Sequence, residues 1–446
     1  NSTPLRLAAN STINDNAPLS VGTLDLANFA LTLDDNMSSL SIAQPVTLDA
    51  AGEKIVTGNA DLSLNGGISA TAGTLSSTGG TLSLPIGATL ASGASFSTSN
   101  TTLNLGGSLA VAGTWSGSNT TSISLTDNAS LSSTVALSLA SLQTNGHDFK
   151  LASASTDLTI KNAFALSGSE TLSTQGADLI FESSADISPG STLDVSGGGK
   201  LEFQQGGTDN GTINAENAVF KIGAAYAVPG TLKTNDNTTW TLGTVNLDLS
   251  GGTLELGGTL VVLDRVLTDN QTTFKLSEDA TVTRNTGFTI GDLEFESYTL
   301  TLGSATTDLT IDIGDSSDNG TGSGSSDNGT GSGSPSGTLA TVLADLTIVG
   351  ELAELTAGTT ISSTDGTLSF EDGLSINGAT INLQDTTLAV GSSFSKTGGT
   401  LTLSGTDLKL LSNLSLSSNS AVTFDSYQPN GFNLVLSDNS TGNISL

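Results

Sequence analysis

Apolar residues in this chain recur in pairs separated by one residue. Such triplets fall at Leu24/Leu26, Leu62/Leu64, Leu82/Leu84, Leu103/Leu105 and Ile123/Leu125. They continue at Leu158/Ile160, Leu179/Phe181, Leu201/Phe203, Phe220/Ile222, Trp240/Leu242 and Leu260/Val262. A period of two marks a β-strand with one covered face, because successive side chains point to opposite sides. The middle residue is mostly polar, as at Thr32, Ser63, Ser83, Asn104, Thr159, Glu202, Lys221 and Thr402. That alternation excludes a sheet buried on both faces.

Most triplets follow one another at about 20 residues, and two steps are about twice that, which marks a repeat architecture. Weaker apolar positions subdivide each step, as Leu90 and Phe96 do between Leu84 and Leu103. Three short strands per repeat predict an all-β fold: an elongated three-sided parallel β-solenoid (β-helix) of about 20 residues per coil. Leu82, Leu84, Leu103, Leu105, Leu254 and Leu256 are expected to point inward. The unit GGTLELGGTL at Gly251 to Leu260 reads as two turns and two strands, with glycines where the backbone bends. GGTLSL at Gly79 to Leu84 and GGTLTL at Gly398 to Leu403 repeat it. Helical spacing comes closest at Ala340 to Ala357. Its DLTI core repeats Asp157 to Ile160 and Asp308 to Ile311, so a solenoid coil is expected there, with a short helix as the alternative.

One stretch breaks the pattern. Gly314 to Gly337 holds the nonapeptide SSDNGTGSG twice, at Ser316 to Gly324 and Ser325 to Gly333. It has the composition of a flexible linker and nothing to bury. The expected organisation is solenoid over 1–313, a Gly/Ser/Asp-rich insertion or linker over 314–337, and solenoid again over 338–446. Deleting Ser316 to Gly333 is expected to leave the thermal midpoint within a few degrees. Loss of expression or stability would make the segment structural.

Composition narrows the function. Of 446 residues, 43 are acidic and 12 basic, a net charge of −31. Phosphate binding needs basic patches, so nucleic acid is not an expected partner, nor is an anionic membrane. No apolar run approaches the ~18 residues of a membrane span. With no Cys, disulfides and thiolate metal sites are absent. The chain starts at Asn1 without Met, which reads as a processed mature chain or a fragment. The charge is spread out and reads first as a solvated acidic surface, with weak divalent-cation binding as the alternative.

Candidate chemistry is sparse. Asp315, Asp318 and Asp327 offer oxygen ligands to calcium, a cation that takes six to eight of them. Calcium is the one cofactor considered, and otherwise none is expected. The spacing departs from the EF-hand loop, and the nonapeptide lacks the apolar position of calcium-binding β-rolls. His147, beside Asp148, is the only residue that could serve a Ser–His–Asp triad, and TNGHDFK reads as a turn. Carboxylate pairs Asp34/Asp35 and Glu278/Asp279 could do glycosidic acid–base work. The aromatic platforms such sites use are limited to scattered Trp115, Trp240, Tyr226, Tyr298 and Tyr427 beside the Phe residues. N-x-S/T sequons, such as those at Asn100, Asn128 and Asn413, permit glycosylation. Outward positions vary among Thr, Ser, Asn, Asp, Glu and Lys. A regular hydroxyl array of the kind ice-binding solenoids present is therefore not expected.

The 20-residue L-x-L and GGTL pattern resembles prokaryotic surface β-solenoids: autotransporter passengers, filamentous-haemagglutinin-like adhesins and repetitive surface fibre proteins. The resemblance covers nearly all of the chain outside Gly314 to Gly337. It implies an exported, extracellular or cell-surface protein acting as a stalk, an adhesive rod or a fibre subunit, and it carries over no functional residue. Pectate-lyase-like enzymes share the fold class, but their convergent Asp with Lys or Arg is not evident here. The expected function is a non-enzymatic structural subunit of an extracellular fibre, sheath or matrix, with a second copy of itself as partner. An adhesin stalk directed at glycans or a host or cell surface is the alternative, and a polysaccharide-acting enzyme the third reading. Asn433 to Leu446 ends on alternating apolar residues, Leu434/Leu436 and Ile444/Leu446, without a capping helix. An end of that kind is expected to template head-to-tail stacking or strand addition.

Overall fold

The computed structural model describes residues 3–35, 39–260, 263–312, 337–349, 353–437 and 442–446. The chain falls into two units, Asn1–Tyr226 with Thr238–Val245, and Ala227–Asn237 with Asn246–Leu446. Both are parallel β-solenoid, about 19 turns in all of roughly 21 residues each. Helix among the described residues is confined to 3-10 turns at Ser118–Thr120 and Leu263–Arg265. No described helix is long and apolar enough to cross a membrane.

In the first unit the inward residues form columns. Leu82 pairs with Leu62 on one side and Leu103 on the other, and Leu103 pairs with Ile123. Leu82, Leu84, Leu103 and Leu105 are fully buried, as the alternation predicts. Each such side chain contributes about 1.5–3 kcal/mol by leaving water. A single coil could not offset its own ordering entropy, so stability comes from coil-to-coil contacts.

The triplets do not all belong to one column. Leu62/Leu64 stacks on Leu40/Ile42, whereas Leu24 pairs with Leu5 in a separate sheet. Ile123 continues the column of Leu103, whereas Leu158/Ile160 stacks on Leu137/Leu139 in another sheet. The double steps in the repeat are therefore changes of face, not missing copies. Every face uses the same apolar-x-apolar code, so spacing alone could not separate them.

Large rings fill some of this core. Phe164, Phe181, Phe203 and Tyr226 stack with centroids 5.0, 5.3 and 4.2 Å apart in turn. Trp240 packs edge-on to Phe220 at 5.5 Å. Trp115 lies 4.9 Å from Phe96, and its indole N–H donates to the buried Thr98 hydroxyl at 2.8 Å. Trp115 and Tyr226 are thus core residues, and Trp240 is half-buried against Phe220.

The second unit shows the three-sided coil plainly. Thr367–Phe370, Leu374–Asn377 and Thr380–Gln384 follow one another and belong to three different sheets. Leu254 and Leu256 are fully buried. The GGTLELGGTL reading needs correction, because Thr253–Leu260 is a single strand. The second Gly pair lies inside it, where the register against Thr273–Val282 shifts between Leu256 and Gly258, with φ 73° at Gly258. Thr102–Val111 in the first unit does the same, with its shift between Leu105 and Gly107 and φ 76° at Gly107. In both places the pairing offset grows from 20 to 22 residues, so the facing strand carries the irregular extra residues while the Gly-containing strand runs on without a turn. Within Ala340 to Ala357 the described residues form the strands Gly337–Val342, Leu346–Val349 and Ala353–Thr356 with their connections, none of them helical, and the helix alternative falls away. Leu309 pairs directly with Leu346, so the coils flanking the Gly/Ser/Asp-rich segment stack in register.

Candidate functional site

Acidic residues occupy a repeated position. Asp157 directly precedes the inward Leu158, and its Oδ1 accepts the N–H of Asp178 at 2.9 Å, one coil on. Asp178 directly precedes Leu179 and accepts the N–H of Lys200, again at 2.9 Å. Asn128 accepts from Asp148 at 2.9 Å, and Asp148 from Thr171 at 2.7 Å. The second unit repeats the device: Asp308 accepts from Asp345 at 3.0 Å, and Asp345 from Thr367 at 2.6 Å. An N–H at a strand's entry lies beyond the ladder, and a short carboxylate from the coil below satisfies it. Much of the negative charge therefore clamps coil to coil. The signal was present in the sequence as Asp immediately before an inward triplet.

Asp178→Ala removes the acceptor of the Lys200 N–H and the 3.8 Å ion pair to the Lys200 ammonium. The expected cost is about 1–2 kcal/mol by urea denaturation. Asp178→Asn, which keeps an oxygen in place, should cost less than half of that. Equal losses would mean that the charge, not the hydrogen bond, is what counts.

Two buried glutamates serve as turn locks. Glu53 accepts the N–H groups of Asn28, Asp49 and Ala50. Glu170 accepts the Thr144 hydroxyl at 2.5 Å, the Gly146 N–H, and the Ser167 N–H at 3.1 Å. Glu202, expected outward, does face out but is covered: Lys200 and Lys221 hold it at 2.9 and 2.8 Å. Burial alone would raise its pKa, and the hydrogen bonds from Lys221 and Lys200 outweigh that and hold it below the usual carboxylate value.

One carboxylate differs from these. Asp209 is fully buried. Its Oδ1 accepts the Gly211 N–H at 2.8 Å, while Oδ2 has no partner. Burial pushes its pKa up to about 7, against the opposing pull of the Gly211 bond. Asp209 and Asp186 both act electrostatically on the buried Tyr226, whose pKa burial raises first and these carboxylates raise further. The Tyr226 hydroxyl donates to the Ala185 carbonyl at 3.1 Å. TDNG reads as a surface turn, and nothing in that local sequence marked Asp209 as a core residue.

The residues expected to carry chemistry do not converge. Asp315, Asp318 and Asp327 lie outside the described residues. Among the described residues, no group of three or more His, Asp or Glu is placed to hold a metal ion. His147 sits in the Asn145–Gly146 turn, with φ 53° and 90° at those two residues, and its neighbour Asp148 is committed to Thr171. Of the carboxylate pairs, Asp35 accepts the Asn59 N–H at 2.9 Å. Glu278 accepts the Asp236 N–H at 2.9 Å and Asp279 the Thr299 N–H at 2.8 Å. Comparison with protein-family models, curated proteins and solved structures finds no match for this chain.

Proposed function

We propose that the chain is a non-enzymatic structural subunit of an extracellular fibre, sheath or matrix, assembling through contacts between solenoids. The observation that supports this reading best is where the polar side chains go. Asp157, Asp178, Asp308 and Asp345 each bond to the backbone of the next coil. A framework that directs its carboxylates at its own backbone suits a load-bearing role. The absence of Cys suits a design whose stability rests on hydrogen bonding and stacking. A net charge of −31 opposes close lateral packing, so cations should promote association by screening it.

Electron microscopy and light scattering of the purified full chain, with and without calcium, test the proposal. Filaments or ordered bundles, favoured by calcium, are expected. A chain that stays monomeric at high concentration with calcium overturns it, and retention by glycans or cell surfaces would then put the adhesin stalk in its place.

A further inference from the structure

The second unit carries a face with an unbroken column of threonines. Thr299, Thr338, Thr360, Thr380 and Thr400 stand in register on five consecutive strands. Two residues along each strand lies a second rank, Thr301, Ala340, Ser362, Asn382 and Thr402. Between the ranks, Leu300, Leu339, Ile361 and Ile381 are buried, so both ranks face outward. The expectation of an irregular outward surface is therefore corrected for these coils. The step from Thr299 to Thr338 could not be read from the sequence, because the Gly/Ser/Asp-rich segment lies between them.

Three properties describe this face; the first two are shared by the ranks Thr81, Thr102, Ser122, Ser141 and Ser83, Asn104, Ser124, Gln143 of the first unit, and the third is not. It is periodic in two directions, about 4.8 Å from strand to strand and about 6.6 Å along each strand. It carries no charge in either rank, although the chain has 43 acidic residues. Its hydroxyls are uncommitted, since none of the ten side chains bonds to another described residue. The inward hydroxyls of the same strands do bond, Thr341 to Ser363 at 2.8 Å. In the first unit the outward column is also cross-linked: Asn65 bonds to Ser41 and Ser63, and Asn145 to Ser124. Threonine is stiff at χ1, so five stacked copies hold hydroxyl and methyl at fixed spacing.

We propose that this two-rank face binds an ordered water lattice, the surface of ice. A partner matched to it must be neutral, flat and periodic in two directions. Water held between methyls and anchored by hydroxyls meets all three conditions. A neutral polysaccharide meets the first, but neither rank holds an aromatic residue for a sugar ring to stack on. The proposal is independent of whether the chain assembles.

The test uses the purified full chain, with growing ice crystals watched under a cooling microscope. Wild type should facet the crystals and open a gap between melting and freezing. Thr360→Tyr should reduce that gap severalfold, while Ser375→Tyr, on the adjoining face, should leave it unchanged. Both variants are checked for wild-type melting by circular dichroism. Thr380→Val, which removes one hydroxyl and keeps the shape, serves if the tyrosine variant does not fold. Absence of faceting by wild type overturns the proposal, as does a gap unaffected by Thr360→Tyr and Thr380→Val. Retardation in a neutral β-glucan gel, lost in Thr360→Tyr and without any effect on ice, overturns it in favour of a glycan surface.

Discussion

Leu103→Asp is expected to unfold its coil and loosen both neighbours, lowering the thermal midpoint by roughly 10–20 °C. Leu103 is fully buried and pairs with Leu82 and Ile123 in the inward column. A carboxylate there has no partner, and its burial costs several kcal/mol. In a solenoid that loss is felt first by the adjacent coils, because stability is a sum of neighbour interactions. Leu103→Met, which keeps volume and polarity, should cost less than about 1.5 kcal/mol. Melting followed by circular dichroism separates the two variants. An unchanged midpoint for Leu103→Asp would place Leu103 outside the core and undo the coil assignment of its neighbours.

Asp209→Asn should stabilise the protein progressively as pH rises. The folded-state pKa of Asp209 is about 7, against 3.8 for the free side chain. The folded state therefore holds a proton that the unfolded state has already released, and stability from this group falls as pH rises. The penalty is absent below about pH 4, grows between 4 and 7, and is complete above 7, reaching up to about 4 kcal/mol. Asparagine cannot ionise, so the advantage of the variant should widen between pH 5 and pH 8. Native-state hydrogen exchange at Asn210 and Gly211 reads the local opening, since Asn210 donates to the Ile187 carbonyl at 2.7 Å and Gly211 to Asp209 itself. A gap that stays constant across that range would mean Asp209 is already ionised in the folded chain at pH 5.

The inward columns were legible in the sequence because burial imposes one residue in two along every strand. Leu82, Leu84, Leu103, Leu105, Leu254 and Leu256 all point where the alternation places them. What the pattern could not show was which face a triplet serves, since Ile123 and Leu158 obey the same rule in different sheets. Glycine pairs were also ambiguous. Gly79 and Gly80 turn the chain before Thr81–Leu84, whereas Gly257 and Gly258 lie inside a strand that continues to Leu260. Local composition does not separate these cases, because both need positive φ. Asp157, Asp178 and Asp345 stood in plain view one residue before their triplets, yet charge alone read as solvation. Their role depends on the N–H waiting one coil away, which only the stacked register reveals. The threonine columns were hidden for the same reason.

The clamps also have a mechanical meaning. Asp157 is bonded to Asp178, and Asp178 to Lys200, so each link joins one coil to the next and reaches no further. A stack tied in this way is a series of similar bonds under tension, each as strong as its neighbour. Under load the coils would peel away singly and in sequence instead of all at once. Each coil of roughly 21 residues would then add about 70 Å of extended chain. Such a protein absorbs work by lengthening in steps and recovers its length coil by coil when the pull is released.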